Sequence, residues 1–437
     1  MKKLTPSQII VLGFAGVILL GAFILMLPIS STCHGWTPFN EALFTSTTSI
    51  CVTGLVVQDT GSYWTSFGHV IIMLLIQIGG LGVVTVAASF AMFSGRRISL
   101  HSRSTIVEAT SSSTLATVGV LTKHIIKGTL IIELIGALIM MPVFCADYGI
   151  KGVWYAIFHA VSAFCNAGID LLGRPWHKFP SLTSYVSCVP INIAIMSLIV
   201  IGGLGFLTWE DIRNEKFKFS RYSLQSKVIL TTTFCLITIP AIYFFIFDFN
   251  TLPLKARILA SFFQSVTPRT AGFNTVDLAG MTSTSQAISI ALMLIGASPG
   301  STGGGMKNTT FTILLMTCIA VFRKKKDTEI FGRRIETDII KNAATIALMY
   351  VVLSLLGAMA ISTIDGLPVS STLYDTASAI GTVGSSLGIT PSLSIPSRYI
   401  LIALMFFGRV GGLTIIYAAF LTPYTASRFP AEKITVG

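Results

Sequence analysis

Thr267-Pro268-Arg269-Thr270-Ala271-Gly272-Phe273-Asn274 is a short polar stretch between two apolar segments, each long enough to cross a bilayer. At membrane depth a non-helical backbone persists only if it is buried in protein or lines a water-filled path. The stretch therefore reads as a loop that lines something. It has three relatives: Cys51-Val52-Thr53-Gly54-Leu55, Cys165-Asn166-Ala167-Gly168-Ile169 and Thr382-Val383-Gly384-Ser385-Ser386. Their central glycines lie 114, 104 and 112 residues apart, a near-regular interval that predicts fourfold pseudosymmetry about one axis.

The rest of the chain is consistent with that setting. Of its 437 residues 52% are hydrophobic and 11% charged, against roughly 25% charged in soluble proteins, so it reads as a polytopic membrane protein. The net charge of +12 falls in clusters between apolar runs, which suits topology and gives no basic face for nucleic acid. The apolar run after Met1-Lys2-Lys3 covers about 20 residues, beyond the ~7–15 of a signal-peptide core, and reads as the first span. Seven cysteines are scattered without a Cys-x-x-Cys pair, so zinc and redox sites have no support.

Each repeat reads as a span, a half-length helix, the polar-glycine loop and a second span. The spans are expected at 7–28 and 69–92 around a half-helix at 39–49, and at 123–144 and 185–209 around 153–164. They recur at 227–249 and 288–321 around 256–266, and at 341–363 and 398–421 around 373–380. The fold class is all-α and polytopic: eight transmembrane helices in four helix/pore-loop/helix repeats, 1–94, 95–212, 213–326 and 327–437, around a single pseudo-fourfold pore. Ile78-Gly79-Gly80-Leu81-Gly82 and Ile201-Gly202-Gly203-Leu204-Gly205 repeat one motif within the second spans, where it reads as tight packing or a bend. In the third repeat Gly296-Ala297-Ser298-Pro299-Gly300-Ser301-Thr302-Gly303-Gly304-Gly305 rules out one continuous helix.

Charge orients this arrangement. Twenty-one of the 30 lysines and arginines, from Lys2, Lys3, Arg96, Arg97 and Arg103 through Arg323–Lys326 to Arg428 and Lys433, fall at the termini or between repeats. Those segments and both termini are then expected to face the cytoplasm, with the four loops entering from outside.

A re-entrant half-helix presents its carbonyl-rich negative end to the loop, which favours a cation. Beyond it, glycine allows consecutive carbonyls to point inward and replace a cation's water shell. The triplets Val52-Thr53-Gly54, Asn166-Ala167-Gly168, Thr270-Ala271-Gly272 and Thr382-Val383-Gly384 carry no charge, which suits a monovalent ion. Asp59, Asp170, Asp277 and Asp375 are candidates for an outer vestibule. Arg409, near the middle of a span, must face the protein interior, because an unpaired charge there costs at least ~2.5–3.5 kcal/mol.

At this point the sequence resembles the Trk/Ktr/HKT superfamily of potassium transporters, and within it the Ktr-type membrane subunit. The stretches that carry the resemblance are Thr270-Ala271-Gly272-Phe273-Asn274, Asn166-Ala167-Gly168, Gly300-Ser301-Thr302-Gly303-Gly304-Gly305-Met306-Lys307 and Gly408-Arg409-Val410-Gly411. It implies potassium held at one carbonyl filter, with Gly54, Gly168, Gly272 and Gly384 as filter glycines and no covalent cofactor. It also implies a homodimer in the bacterial cytoplasmic membrane, in contact with lipid, on a ring of cytosolic nucleotide-binding (RCK-type) regulatory subunits, with uptake often stimulated by sodium. The broken segment, with Gly296, Ser298, Pro299, Gly300, Gly303, Gly304, Gly305, Lys307 and Arg409, would be the gate. Cys165, Ile169, Ser385 and Gly412 depart from the family's usual residues. The rival reading is a secondary transporter with a midplane site; such proteins more often show two inverted repeats. No catalytic constellation or phosphate loop supports an enzyme.

Overall fold

The computed structural model describes residues 5–83, 86, 118–175, 179–216 and 218–419. Lys2, Lys3, Arg96, Arg97, Arg103, Arg428 and Lys433 of the charge count, and most of 84–92 and all of 420–421 from the expected spans, lie outside them.

The first repeat shows how sequence sets the elements. Helix α1 (Pro6–Met26) starts with proline after a Thr5–Gln8 capping box and is followed by the half-helix α2 (Phe39–Ile50), which begins after Pro38. Proline fixes φ and gives up an N–H that a first helical turn leaves unpaired. The second span, α3 (Ser66–Leu81), is capped by Thr65 and ends at Gly82. The second repeat runs through α4 (Val118–Tyr148), α5 (Lys151–Phe164), α6 (Val189–Gly203) and α7 (Phe206–Glu215). The third has α8 (Leu224–Phe247), α9 (Leu254–Val266), α10 (Ser283–Leu294) and α11 (Asn308–Phe322). A hairpin, β1 (Glu329–Ile330) with β2 (Arg333–Arg334), leads to α12 (Thr337–Asp365), α13 (Val369–Ile380), α14 (Ile395–Val410) and α15 (Gly412–Ala419). Phe331 and Gly332 at its tip both have positive φ, as a tight two-residue hairpin turn requires.

Among the described residues four helices are long and apolar enough to cross a membrane: α1, α4, α8 and α12. The second spans expected at 185–209 and 398–421 are not straight, and the bend falls at the glycine motif of each. α6 and α7 meet at 96°, and α14 and α15 at 93°, each pair counting as one further candidate span. The turn is made by glycine: Gly82, Gly205 and Gly411 have φ of 86°, 90° and 90°, a region that side-chain-bearing residues avoid. The same motif also packs tightly. A Cβ at Gly79, Gly202 or Gly408 would lie 2.1, 2.0 and 2.0 Å from the carbonyl oxygens of Ile50, Phe164 and Ile380, the last residues of three half-helices.

The half-helices are buried, and hydroxyl groups tie three of them to the long helix of their own repeat. Ser46 donates to Ile18 O at 2.6 Å, Ser265 to Ile237 O at 2.6 Å and Thr376 to Ser354 O at 3.0 Å. Such bonds satisfy polar groups where water is absent and bring helices close.

Candidate functional site

Each half-helix delivers its carboxyl end to one of the four loops, and there the backbone repeats itself. Val52, Asn166, Thr270 and Thr382 have φ of 54°, 61°, 73° and 50°, and Gly54, Gly168, Gly272 and Gly384 have 98°, 64°, 79° and 96°. The middle residues Thr53, Ala167, Ala271 and Val383 do not have positive φ. This alternation turns successive carbonyls toward one side, the arrangement used to coordinate a cation with backbone oxygen. Left-handed backbone at four non-glycine positions costs of order 1–2 kcal/mol each, so packing must hold it.

That packing comes from the half-helices. Thr53, Ala167 and Val383 donate their N–H groups back to Thr48, Ser162 and Ser378 O at 2.8, 2.7 and 2.8 Å. Thr48 Oγ1 and Ser378 Oγ accept from Gly54 N and Gly384 N, while Ser162 and Thr267 donate to Ile169 and Phe273 O. The N–H groups of all four middle residues are thus taken up, that of Ala271 by Thr267 O at 2.9 Å, and the carbonyl oxygens of 52–54, 166–168, 270–272 and 382–384 accept no hydrogen bond from a described residue.

The loops close into a ring in chain order. A Cβ at Gly54 would lie 2.3 Å from Ala167 O, one at Gly168 2.0 Å from Ala271 O, one at Gly272 2.2 Å from Val383 O and one at Gly384 2.1 Å from Thr53 O. Asn166 bonds across the ring, its amide nitrogen donating to Ala163 O and Ile199 O and its oxygen accepting from Thr270 Oγ1 at 3.0 Å.

One cavity abuts the ring and another lies against the broken segment. The first, of about 240 Å³, is lined by the four glycines with Asp59, Asp170 and Asp277. Asp277 is exposed and bonds Ala279 N at 3.0 Å. Asp59 is spent on structure, accepting from Ser62 and from Phe179 N. Burial raises the Asp170 carboxyl to about 7; the Leu172 N–H opposes this and the Asp59 carboxylate adds to it. Asp375 does not belong to this mouth. It is fully buried on α13, where it accepts from Thr390, Ser386 and Leu387 N and pins the chain after the fourth loop.

The other cavity, about 340 Å³, is lined by Gly300, Ser301, Gly303, Gly305 and Lys307 of the broken segment and by Arg409. The segment passes directly against the first residues of two triplets. A Cβ at Gly303 would lie 2.2 Å from Thr270 Oγ1, and one at Gly304 2.3 Å from Thr382 Oγ1. It is stitched in place by Gly296 N to Met306 O, Ser298 N to Gly203 O, Thr302 N to Gly202 O and Gly305 N to Gly408 O. Pro299 and Gly300 lie against the second bend: a Cβ at Gly205 would be 2.6 Å from Pro299 O, and Phe206 N donates to Gly300 O at 2.8 Å. Lys307 folds back, its Nζ donating to Gly303 O at 2.9 Å and Gly304 O at 3.3 Å, instead of reaching away to water. Arg409 donates to Thr302 O on the segment and to Gly79 O and Gly80 O in the last turn of α3. One side chain of α14 therefore ties the broken segment to α3.

Three polar groups near the ring went unassigned in the sequence. Glu133, buried on α4, accepts from Gln77 at 3.4 Å and lies 4.0 Å from the Cys165 thiol. Arg269, directly before the third triplet, is 6% exposed and donates to Thr233. Asn308 starts α11 and is fully buried. Glu133 is signalled in sequence by polarity inside an apolar run, whereas Arg269 and Asn308 sit in stretches that are already polar.

Relatives with the same fold and length exist. The TrkH family, described as "Cation transport protein", matches residues 6–427. A "Ktr system potassium uptake protein B" of Bacillus subtilis is 38% identical over 100% of this chain and 97% of its own length. A "Potassium/sodium uptake protein NtpJ" of Enterococcus hirae is 37% identical over 100% of this chain and 98% of its own. The crystal structure of the potassium transporter TrkH from Vibrio parahaemolyticus superposes with a TM-score of 0.75 at 16% identity, covering 95% of this chain and 84% of that one. With a family match across nearly its whole length and full-length relatives above 30% identity, this chain belongs to the TrkH family of cation transport proteins.

Proposed function

We propose that the chain is the ion-translocating subunit of a Ktr-type potassium uptake system, built as eight spans in four repeats, 1–94, 95–212, 213–326 and 327–437. The observation that carries this reading is the ring of four triplets with one shared backbone pattern and unclaimed carbonyl oxygens. Neutral oxygens in rings hold a dehydrated monovalent ion weakly enough for it to leave. The full-length relatives named as potassium uptake proteins support the substrate. In this reading residues 52–54, 166–168, 270–272 and 382–384 are the filter, and the broken segment with Lys307 and Arg409 is the gate.

The relatives' designation as one component of a Ktr system supports a regulatory partner. We place it on the cytosolic side, as a ring of nucleotide-binding subunits beneath a homodimer, near the basic run Arg323–Lys326. Sodium enters as a stimulating ion; the name of the Enterococcus relative, a potassium/sodium uptake protein, supports a part for sodium.

Cells lacking their own potassium uptake and expressing this chain with a cognate regulatory subunit are expected to grow and take up potassium at low external concentration, with sodium varied alongside. Uptake of another solute in preference to potassium would instead favour the secondary-transporter reading. A smaller effect is expected at the mouth. Asp277→Asn removes one exposed negative charge and should raise the KM for potassium roughly two- to threefold at low ionic strength, with Vmax kept. The difference should vanish in high salt, because the screening length falls to about 3 Å at 1 M. A KM equal to wild type at low salt would show that Asp277 is only a solvated loop residue.

A further inference from the structure

The residue immediately before each triplet is Cys51, Cys165, Arg269 and Gly381, so one loop alone carries a charge there. Arg269 stands three residues past the end of α9, where a cation favours the helix's negative end. The residue is 6% exposed, and none of the ion pairs among the described residues includes it. Arg269 Nη2 donates to Thr233 Oγ1 on α8 at 3.2 Å. The same hydroxyl oxygen is approached by Asn308 Nδ2 at 3.5 Å, and that amide also donates to Ser298 Oγ at 3.0 Å. Asn308 N donates to Ala297 O at 3.2 Å. A chain of contacts thus runs from the third triplet, through one hydroxyl on a long helix, into the broken segment.

The junction is incompletely satisfied. Arg269 Nε, a donor, and Asn308 Oδ1, an acceptor, are both buried without a partner among the described residues. Orphaned groups of opposite kind on two residues that share one hydroxyl are costly in a dry interior. A shift of the broken segment could pair them, so this junction has a second arrangement open to it. Arg409 already holds the same segment from another side.

We propose that Arg269, Thr233 and Asn308 are positioning residues that transmit the state of the broken segment to the third pore loop, so that gate and filter change together. The inference rests on the potassium-uptake reading above. Spatial intermediacy alone does not establish coupling, so the test is a mutant cycle on the full-length chain in cells lacking their own potassium uptake. The readout is the ratio of potassium to sodium uptake efficiency, which a change in the amount of folded protein does not move.

Thr233→Val keeps shape and removes the hydroxyl; it is expected to lower that ratio roughly three- to tenfold, whereas Thr233→Ser keeps the wild-type ratio. Asn308→Ala should give a similar shift, and Thr233→Val with Asn308→Ala no more than either alone. Arg269→Lys, which keeps the charge but loses the planar fork, should also lower the ratio, so one poorly inserted variant leaves another to decide. Unchanged ratios in Thr233→Val and Arg269→Lys, or fully multiplicative effects in the double variant, would overturn the link. Wild-type chain that takes up no potassium would overturn the functional reading instead, a separate outcome.

Discussion

Gly54→Ser is expected to abolish potassium-selective uptake, lowering the ratio of potassium to sodium uptake efficiency by at least about tenfold. Two independent constraints meet at this position. Its φ of 98° disfavours any residue with a Cβ, and the Cβ itself would stand 2.3 Å from Ala167 O in the neighbouring loop. The strain alone costs roughly 1–2 kcal/mol, but the contact cannot be relieved without moving the second loop. Since Gly168 meets the third loop, Gly272 the fourth and Gly384 the first, displacement at one point disturbs the whole ring. Gly388 separates the two causes: its φ is 90°, yet a Cβ there meets nothing within 4 Å. Gly388→Ser should therefore lose some stability while keeping selectivity. Equal selectivity losses in the two variants, measured by uptake of potassium and sodium at matched expression, would argue against a closed ring.

The second large effect is expected from Arg409→Gln. The guanidinium joins Thr302 O of the broken segment to Gly79 O and Gly80 O at the end of α3. Hydrogen bonds to a charged group contribute about 1.5–3 kcal/mol each, so their loss frees the segment from α3. It also removes a positive charge from the wall of the 340 Å³ cavity that a cation would cross. Both effects act in one direction: uptake without any regulatory subunit should rise, roughly tenfold, and respond less to the subunit when it is added. Arg409→Lys keeps the charge but cannot bridge three carbonyls with the same geometry, and should fall between. Partner-independent uptake that stays at the wild-type level in Arg409→Gln, with normal membrane insertion, would contradict a holding role.

The loops and half-helices were legible because each is a local event: an apolar run stops, a glycine follows polar residues, and the pattern recurs. The half-helix expected at 39–49 runs Phe39–Ile50, and the one expected at 153–164 runs Lys151–Phe164. The interruption at Gly296 to Gly305 was equally plain from its five glycines and one proline. The right-angle bends were harder to read. Ile-Gly-Gly-Leu-Gly serves tight packing through Gly79 and Gly202 and a turn through Gly82 and Gly205, and composition cannot separate those two uses.

What sequence hid was long-range. Arg409 finds its partners 107 and about 330 residues away, and Glu133 meets Gln77 across 56; such pairings depend on how distant segments pack. Asp375 looked like its vestibule counterparts, but its place on a buried half-helix turned it into an anchor for Ser386 and Thr390. Arg269 was visible in the decisive stretch all along, yet nothing local marked it as buried.

Crystals or particles of the full-length protein equilibrated with rubidium or thallium provide the most direct test of a single four-loop filter. The anomalous or difference density should form one column on the axis enclosed by Gly54, Gly168, Gly272 and Gly384, within reach of the carbonyl oxygens of all four triplets. Density confined to another place, such as the buried carboxyl of Glu133, with the ring empty at saturating ion, would contradict the account.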